Sequence, residues 1–412
     1  MDKEGIETYF SSEKRNRLEL ADGKIKVKSA ESSRGYGLRV LHNGKLGFSY
    51  FSEKNGEESA IKAAIAISRY SKKTNFEFSG KRKYHSVKSC SNKTKELTAE
   101  ELGEFILQMN EVVGKKSQHG RILIECSESA VEISNDREMD AESHHTNFTA
   151  YCEAMRKDGF GFSYYSGVEV PKDPVAIAEE AAGMCESMIG AKKIQSGKYD
   201  VVFSTEALNS MLDILLPSLS GEWKRKKISR LADMAGRKFA SEKFSMYDDR
   251  TILASHASAF DAEGTPAKRI PIIENGVLKN FLYDRETAAL EEISAEGSCS
   301  RASYQSKPYI SASNIEISAG DWRSFEKELD SFVLVNSVHG VHTSNMTTGD
   351  FGVEASTAFM VNKGRKTATR GFIISGNIFT MLSNIIGIEK KQKVYDNLVS
   401  PAIAFAGLQI IG

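Results

Sequence analysis

Two strand-like runs, Ile270–Glu274 and Val277–Tyr283, are separated by Asn275-Gly276 alone, and this constrains the local fold more tightly than any other feature of the chain. Asn and Gly tolerate the positive φ that a two-residue turn demands, so the pair predicts a tight antiparallel hairpin. Just upstream, Phe260-Asp261-Ala262-Glu263 runs into Gly264-Thr265-Pro266, where Gly permits unusual backbone angles and Pro sets the next φ. Asp261 and Glu263 are therefore expected at a turn that enters a well-registered hairpin. Such a turn holds polar groups beside a sheet edge or a cleft.

The first half carries an internal duplication. Gly47-Phe48-Ser49-Tyr50-Phe51-Ser52 recurs as Gly161-Phe162-Ser163-Tyr164-Tyr165-Ser166. Each copy follows a turn, Asn43-Gly44 or Asp158-Gly159, and each precedes an Ala-rich amphipathic stretch, Glu58–Ser71 or Pro174–Met188. The order strand, turn, strand, helix thus occurs twice, which predicts an antiparallel sheet with helices on one side. Between the copies, Thr98 is placed to cap a helix over Ala99–Val113 that carries Leu102, Phe105, Ile106 and Met109 on one face. Strands are expected at Arg121–Cys126 and Val131–Ile133.

A stretch rich in Gly and Lys, Gly190–Lys198, marks the expected boundary between an N-terminal domain, 1–190, and a C-terminal domain, 191–412. After a strand at Tyr199–Phe203, Leu208, Met211, Leu212, Leu215 and Leu219 follow helical spacing until Pro217 kinks or ends the helix. Beyond it the pattern is mostly strands and turns, with one apolar helix at Asn377–Ile386. The fold class read from this is α+β. The N-terminal antiparallel sheet carries helices on one side, and the C-terminal domain is β-rich, a curved antiparallel sheet with a few packed helices.

Composition narrows the function. Lys plus Arg and Asp plus Glu stand at 55 each, so the basic excess of a nucleic-acid binder is missing. No apolar run approaches the roughly 18 residues of a membrane helix, and MDKEGIETYF does not read as a signal peptide. Neither nucleic acid nor membrane is an expected partner. Cys90, Cys126, Cys152, Cys185 and Cys299 are scattered, odd in number and never spaced C-x-x-C, which fits reduced thiols in a cytoplasmic protein.

The segment FDAEGTPAKRIPIIENGVLKNFLYDRETAA (260–289), with Thr348-Gly349-Asp350-Phe351-Gly352 and Ile374-Ser375-Gly376-Asn377-Ile378-Phe379-Thr380-Met381-Leu382, resembles the TldD/PmbA family. The resemblance extends over nearly the whole chain and is strongest from about Tyr199 onward. It implies proteolysis: the TldD type is a zinc peptidase whose metal helix carries His-Glu-x-x-x-His, completed by a later Cys. Two His on adjacent turns face one zinc, and the Glu activates its bound water. In this chain that helix should fall within Leu208–Lys227, where there is no His, and no Cys follows Cys299. The resemblance is therefore to the PmbA or TldE type, which joins a zinc-bearing TldD-like partner in a heterodimer. That partner would carry the zinc, this chain would bind no cofactor, and extended peptides, unfolded or short, would be cleaved in a chamber between the subunits. Two alternatives stand beside it: a stand-alone homodimeric metallopeptidase with unusual ligands, or a non-enzymatic regulator such as a modulator of a toxin or DNA gyrase system.

No catalytic residue is assigned. His339 and His342 are the metal candidates: two His three apart share a helical face but point to opposite sides of a strand. Asp261, Glu263, Gly264, Thr265, His342, Thr348, Gly349, Asp350 and Phe351 are the candidates for contact with substrate or partner. For Asp261 and Glu263 the competing reading is a pair of acids solvated or bonded to the amides of their own turn. Asp350 is read as shaping a turn near the chamber. Lys224-Arg225-Lys226-Lys227 is read either as a helix end or as a docking patch for an acidic partner.

Overall fold

The repeated hexapeptide occupies corresponding places in two halves of one sheet. The computed structural model describes residues 4–412. Its first half comprises β1 (Gly5–Ala21), β2 (Lys24–His42), β3 (Lys45–Phe51) and α1 (Glu57–Ser68), then α2 (Asn92–Lys95) and α3 (Ala99–Lys116). It continues through β4 (His119–Asn135), β5 (Asp140–Arg156), β6 (Gly159–Gly167) and α4 (Val175–Met188). The six strands pair antiparallel in the order β3-β2-β1-β4-β5-β6, a palindrome centred on the β1–β4 pair. Gly47 of β3 lies against α1 and Gly161 of β6 against α4. A Cβ at Gly47 would stand 1.9 Å from the Ala64 carbonyl oxygen, and one at Gly161 would stand 2.3 Å from both the Ala181 oxygen and the Cys185 nitrogen. The shared glycine of each copy is thus what lets a helix backbone close on the sheet.

Gly161→Ala is accordingly expected to push α4 off β6 and cost about 1–3 kcal/mol by overpacking. Thermal denaturation reads the loss, and an unchanged melting temperature would contradict the packing argument.

The α3 helix begins where the sequence placed it. Thr98 Oγ1 accepts from the Glu101 N–H while the Glu101 side chain accepts from the Thr98 N–H, a reciprocal cap. Leu102, Ile106, Met109 and Val113 are buried with Ile122, Ile124 and Phe148 of the sheet. The two strands expected at Arg121–Cys126 and Val131–Ile133 are one continuous strand, β4, because its polar middle pairs with both β1 and β5.

The chain then enters β7 (Gly197–Phe203) and α5 (Thr205–Leu215), and Pro217 lies in the single 3₁₀ turn that ends this helix. A second sheet is built on β8 (Met246–Asp249), β9 (Arg269–Glu274) and β10 (Val277–Leu278). Asn275 and Gly276 both have positive φ, 49° and 76°, as the hairpin requires. The second arm is shorter than the apolar run predicts. It stops at Leu278 because Lys279 and Asn280 both donate to the Ile272 carbonyl, a bulge that turns Phe281–Tyr283 into the core.

The third sheet is mixed, and its strand order runs Ser331–His339, β7, Ile403–Ile411, Ile373–Asn377, Asp350–Asn362, Arg365–Thr369. Ser331–His339 runs parallel to β7 and also pairs with Asp350–Asn362, which closes the curved sheet on itself. Leu208, Met211, Leu212, Ile214 and Leu215 of α5 pack into the large core it shares with the second sheet. The apolar helix near 377 is a short one, Ile378–Ser383, whose Asn377 side chain accepts from the Phe379 and Thr380 amides. Among the described residues no helix is long and apolar enough to cross a membrane, and all five cysteines are unpaired.

Candidate functional site

Strand alternation sends side chains of the N-terminal sheet to two destinations. Ile6, Leu38 and Val40 pack under α1, whereas Glu7, Tyr9 and Arg39 face the other way, onto the segments around Phe260 and Arg301. Glu7 and Arg39 are direct cross-strand partners, and the Arg39 fork grips Glu7 with two 2.9 Å bonds. Arg39 Nη1 also binds Glu263 Oε1, and Arg301 Nη2 reaches Glu7 Oε1 at 2.6 Å. The second Glu263 oxygen accepts the Arg285 amide at 2.7 Å. All four charged side chains are essentially buried, with Phe76 and Phe78 over Arg39 and Tyr9 over Arg301. Burial alone would raise the Glu7 carboxyl, but the Arg39 and Arg301 guanidiniums hold it below its ordinary value.

Asp261 sits beside this cluster with a different role. Its Oδ1 accepts the Glu263 and Thr265 amides at 2.9 and 2.8 Å, so its first bonds are to its own turn. Gly264 takes φ 71° there, and a Cβ on it would overlap Met139. The acids are not solvated: Asp261 is 2% and Glu263 0% exposed. Burial, then the neighbouring Glu263 charge, pushes the Asp261 carboxyl up to about 6. The turn borders an open cleft of about 460 Å³ between the sheet and the C-terminal segments, lined by Tyr9, His145, Arg250, Asp261 and Arg301. Sequence reasoning passed over Arg39, Arg250 and Arg301. A charge at Arg39, between Leu38 and Val40 of a buried strand, was the one local sign.

The other candidates lie elsewhere. Thr348-Gly349-Asp350 meets Asn377 through the strand pairing of Asp350 with Asn377. Asn377 Nδ2 donates to Asp350 Oδ1 and to the Thr348 carbonyl, each at 2.8 Å, and Arg230 donates to the same carbonyl. Hydrogen bonds from Asn377 Nδ2, the larger effect, and from the Thr348 hydroxyl hold the exposed Asp350 carboxyl below its ordinary value. Phe351 is a buried core residue, and Gly349 at φ 80° leaves room for the Phe379 ring. The second and third family-like motifs therefore meet where Asp350 pairs with Asn377, with Thr348 and Asp350 exposed, while the Asp261 turn packs on the N-terminal sheet. His339 ends a strand and His342 lies in the following 3₁₀ turn, both exposed. In the basic run, Lys224 is taken by Glu291 and Tyr283, and Lys226 by Glu222.

Among the described residues, a single group of three potential metal ligands comes together, Asp261, Glu263 and Cys299; His339 and His342 gather no third ligand. That group does not suit a divalent cation. Both Glu263 oxygens are committed, to Arg39 and to the Arg285 amide. Burial, then the Glu263 and Asp261 charges, raises the Cys299 thiol well above its ordinary value. Guanidiniums already supply the positive charge. In α5, where a metal helix would lie, the buried positions from Leu208 onward are leucine, methionine and isoleucine.

Residues 196–412 match the model of the PmbA/TldA metallopeptidase C-terminal domain, and residues 6–68 match domain 1 of the same family. An uncharacterized protein of Methanocaldococcus jannaschii is 30% identical over 98% of this chain and 97% of its own length. A protein described as a metalloprotease from the same organism is 27% identical over 91% and 87%. Among solved structures, a candidate modulator of a DNA gyrase from Thermotoga maritima aligns with a TM-score of 0.92 at 25% identity, covering 99% and 96%. TldE from Thermococcus kodakarensis aligns with a TM-score of 0.90 at 23% identity, covering 99% and 97%, a likeness of fold.

Proposed function

Because this chain belongs to the PmbA/TldD metallopeptidase family, we propose that it acts as the TldE-type subunit of a peptidase and leaves the zinc chemistry to a TldD-like partner. One observation carries the reading: the segment where the metal helix would lie turns Leu208, Met211, Leu212, Leu215 and Leu219 into the core and holds no histidine. The Asp261, Glu263 and Cys299 group, in which both Glu263 oxygens are already taken, offers no substitute. The chain's own contribution is a wall of the chamber. An extended peptide gains affinity by pairing its backbone with an open strand edge, and β3 and β6 stand at the two ends of the N-terminal sheet. The exposed Thr348–Asp350 turn, stiffened by Asn377 and Arg230, is the proposed contact with substrate or partner.

The test combines metal analysis with a mixing assay. The chain purified without chelator should hold far less than one zinc per chain and should not cleave unstructured peptides. Chelator-sensitive cleavage should appear on mixing with a TldD-type chain that carries His-Glu-x-x-x-His. Chelator-sensitive cleavage by the isolated chain would overturn the assignment and turn attention to His339 and His342.

A further inference from the structure

The cleft above the Asp261 turn is lined by residues with buried polar groups that the protein itself leaves unanswered. Arg250 is 8% exposed and forms no ion pair among the described residues. Its Nη2 donates only to the Gly297 and Cys299 carbonyls, at 3.5 and 3.2 Å, and its Nε donates to nothing in the protein. The Arg301 side chain is fully buried; its Nε and Nη2 bind the Ala262 carbonyl and Glu7, and its Nη1 has no partner. Asp261 Oδ2 is the third orphan, an acceptor on the carboxyl whose other oxygen holds the turn. All three residues line the same cleft of about 460 Å³, a volume in the range of small-ligand sites.

Arg250 feels the charges of Asp248 and Asp261 without pairing closely with either, and burying an unanswered N–H is costly. Arg39, a few residues away in the same interface, shows the alternative, since it is saturated by two carboxylates. Arg250 and Arg301 present donors suited to an anion with planar oxygens, and Asp261 Oδ2 adds an acceptor beside them. The terminal residue of a peptide offers that combination, with a carboxylate and, two bonds from it, its own amide N–H. An acidic side chain offers the carboxylate alone, at a distance from any N–H. Arg15, which also lines the cleft, is already neutralised by Glu13 and Glu125, so it does not compete for the same anion.

We propose that Arg250, Arg301 and Asp261 form a subsite for a peptide carboxylate in this cleft, with the two guanidiniums holding the carboxylate and Asp261 accepting the adjoining N–H. The proposal rests on the peptide-handling role above and gives that role a chemical end-point: the chain would hold one end of a peptide while the remainder extends along the cleft.

Binding to the isolated chain tests it with three fluorescent peptides of one apolar sequence: a free C-terminal acid, the C-terminal amide, and an amide with one internal Glu. The free acid is expected to bind at least about tenfold more tightly than the amide, as loss of a charge-assisted bond in a desolvated site implies. Arg250→Met, checked by its melting curve, should bring the acid down to the level of the amide. If that variant does not fold, the acid-to-amide ratio on the native protein decides. Equal binding of acid and amide, or no saturable binding of any peptide, overturns the subsite. Recovery of tight binding by the internal Glu would assign the carboxylate to side chains instead of chain ends. The assay reads no hydrolysis, so its failure is separate from failure of the subunit reading, which the mixing assay decides.

Discussion

Arg39→Met is expected to lower the melting temperature by roughly 5 °C, the largest single effect among the substitutions considered. The side chain is 2% exposed and stands between two carboxylates, Glu7 and Glu263, that are themselves buried. Its removal leaves Glu263 with the Arg285 amide and no counter-charge, while Glu7 keeps Arg301. Truncating one partner of a buried charge pair costs about 3–5 kcal/mol because the other charge stays desolvated. The double variant Arg39→Met with Glu263→Gln removes that stranded charge and should recover part of the loss, so the two changes should not add. Denaturation of the two single variants and the double variant checks this. A shift below about 1 °C for Arg39→Met, with simple additivity, would show that the buried charges are not the clasp between sheet and C-terminal segments.

That clasp also marks the limit of what the sequence could convey. Features set by neighbours along the chain were legible. Thr98 and Glu101 are three apart and cap α3, Asn275-Gly276 turns a hairpin, and the repeated hexapeptide announces a duplicated sheet edge. Asp261's bonds to the amides two and four residues on were legible for the same reason. Glu263 and Arg39 are 224 positions apart, and nothing local to either says that they meet. Arg301 and Glu7 are 294 apart. A turn motif reports backbone shape, whereas its burial depends on which sheet comes to rest on it. The closure of the third sheet has the same character. It requires Ser331–His339 to pair with both β7 and Asp350–Asn362, a matter of topology that alternation within a strand does not encode. The metal question was better posed by sequence, because histidines missing from a helix need no coordinates to be counted. What the structure adds is the fate of those positions, which are packed into the core, and the three unanswered polar groups that make Arg250 a candidate in place of any histidine.

Glu206→Gln is expected to raise stability at alkaline pH and to change little near pH 5. Glu206 lies in the first turn of α5, and its Oε1 makes no hydrogen bond in the protein. Burial, and after it the charge of Glu180, pushes its carboxyl from 4.5 up to about 8, with Lys393 pulling weakly the other way. A folded-state value above the unfolded one means that the native protein keeps a proton which the unfolded chain releases. The stabilisation from that proton is complete below about pH 4.5 and is lost as pH rises to about 8. Discounted for residual exposure, the loss is on the order of 3 kcal/mol. Glutamine keeps the shape and does not ionise, so the variant should melt above the native protein at pH 9 and close to it at pH 5. Asp261 and Asp284, both pushed up to about 6 first by burial, add pH dependence of the same sign between about pH 4 and 6, but they are common to both proteins and cancel in the comparison. A helix N-terminus ordinarily favours a carboxylate. If the native protein instead melts above the variant at pH 9, the dipole and Lys393 outweigh burial, and Glu206 is an ionised cap on α5.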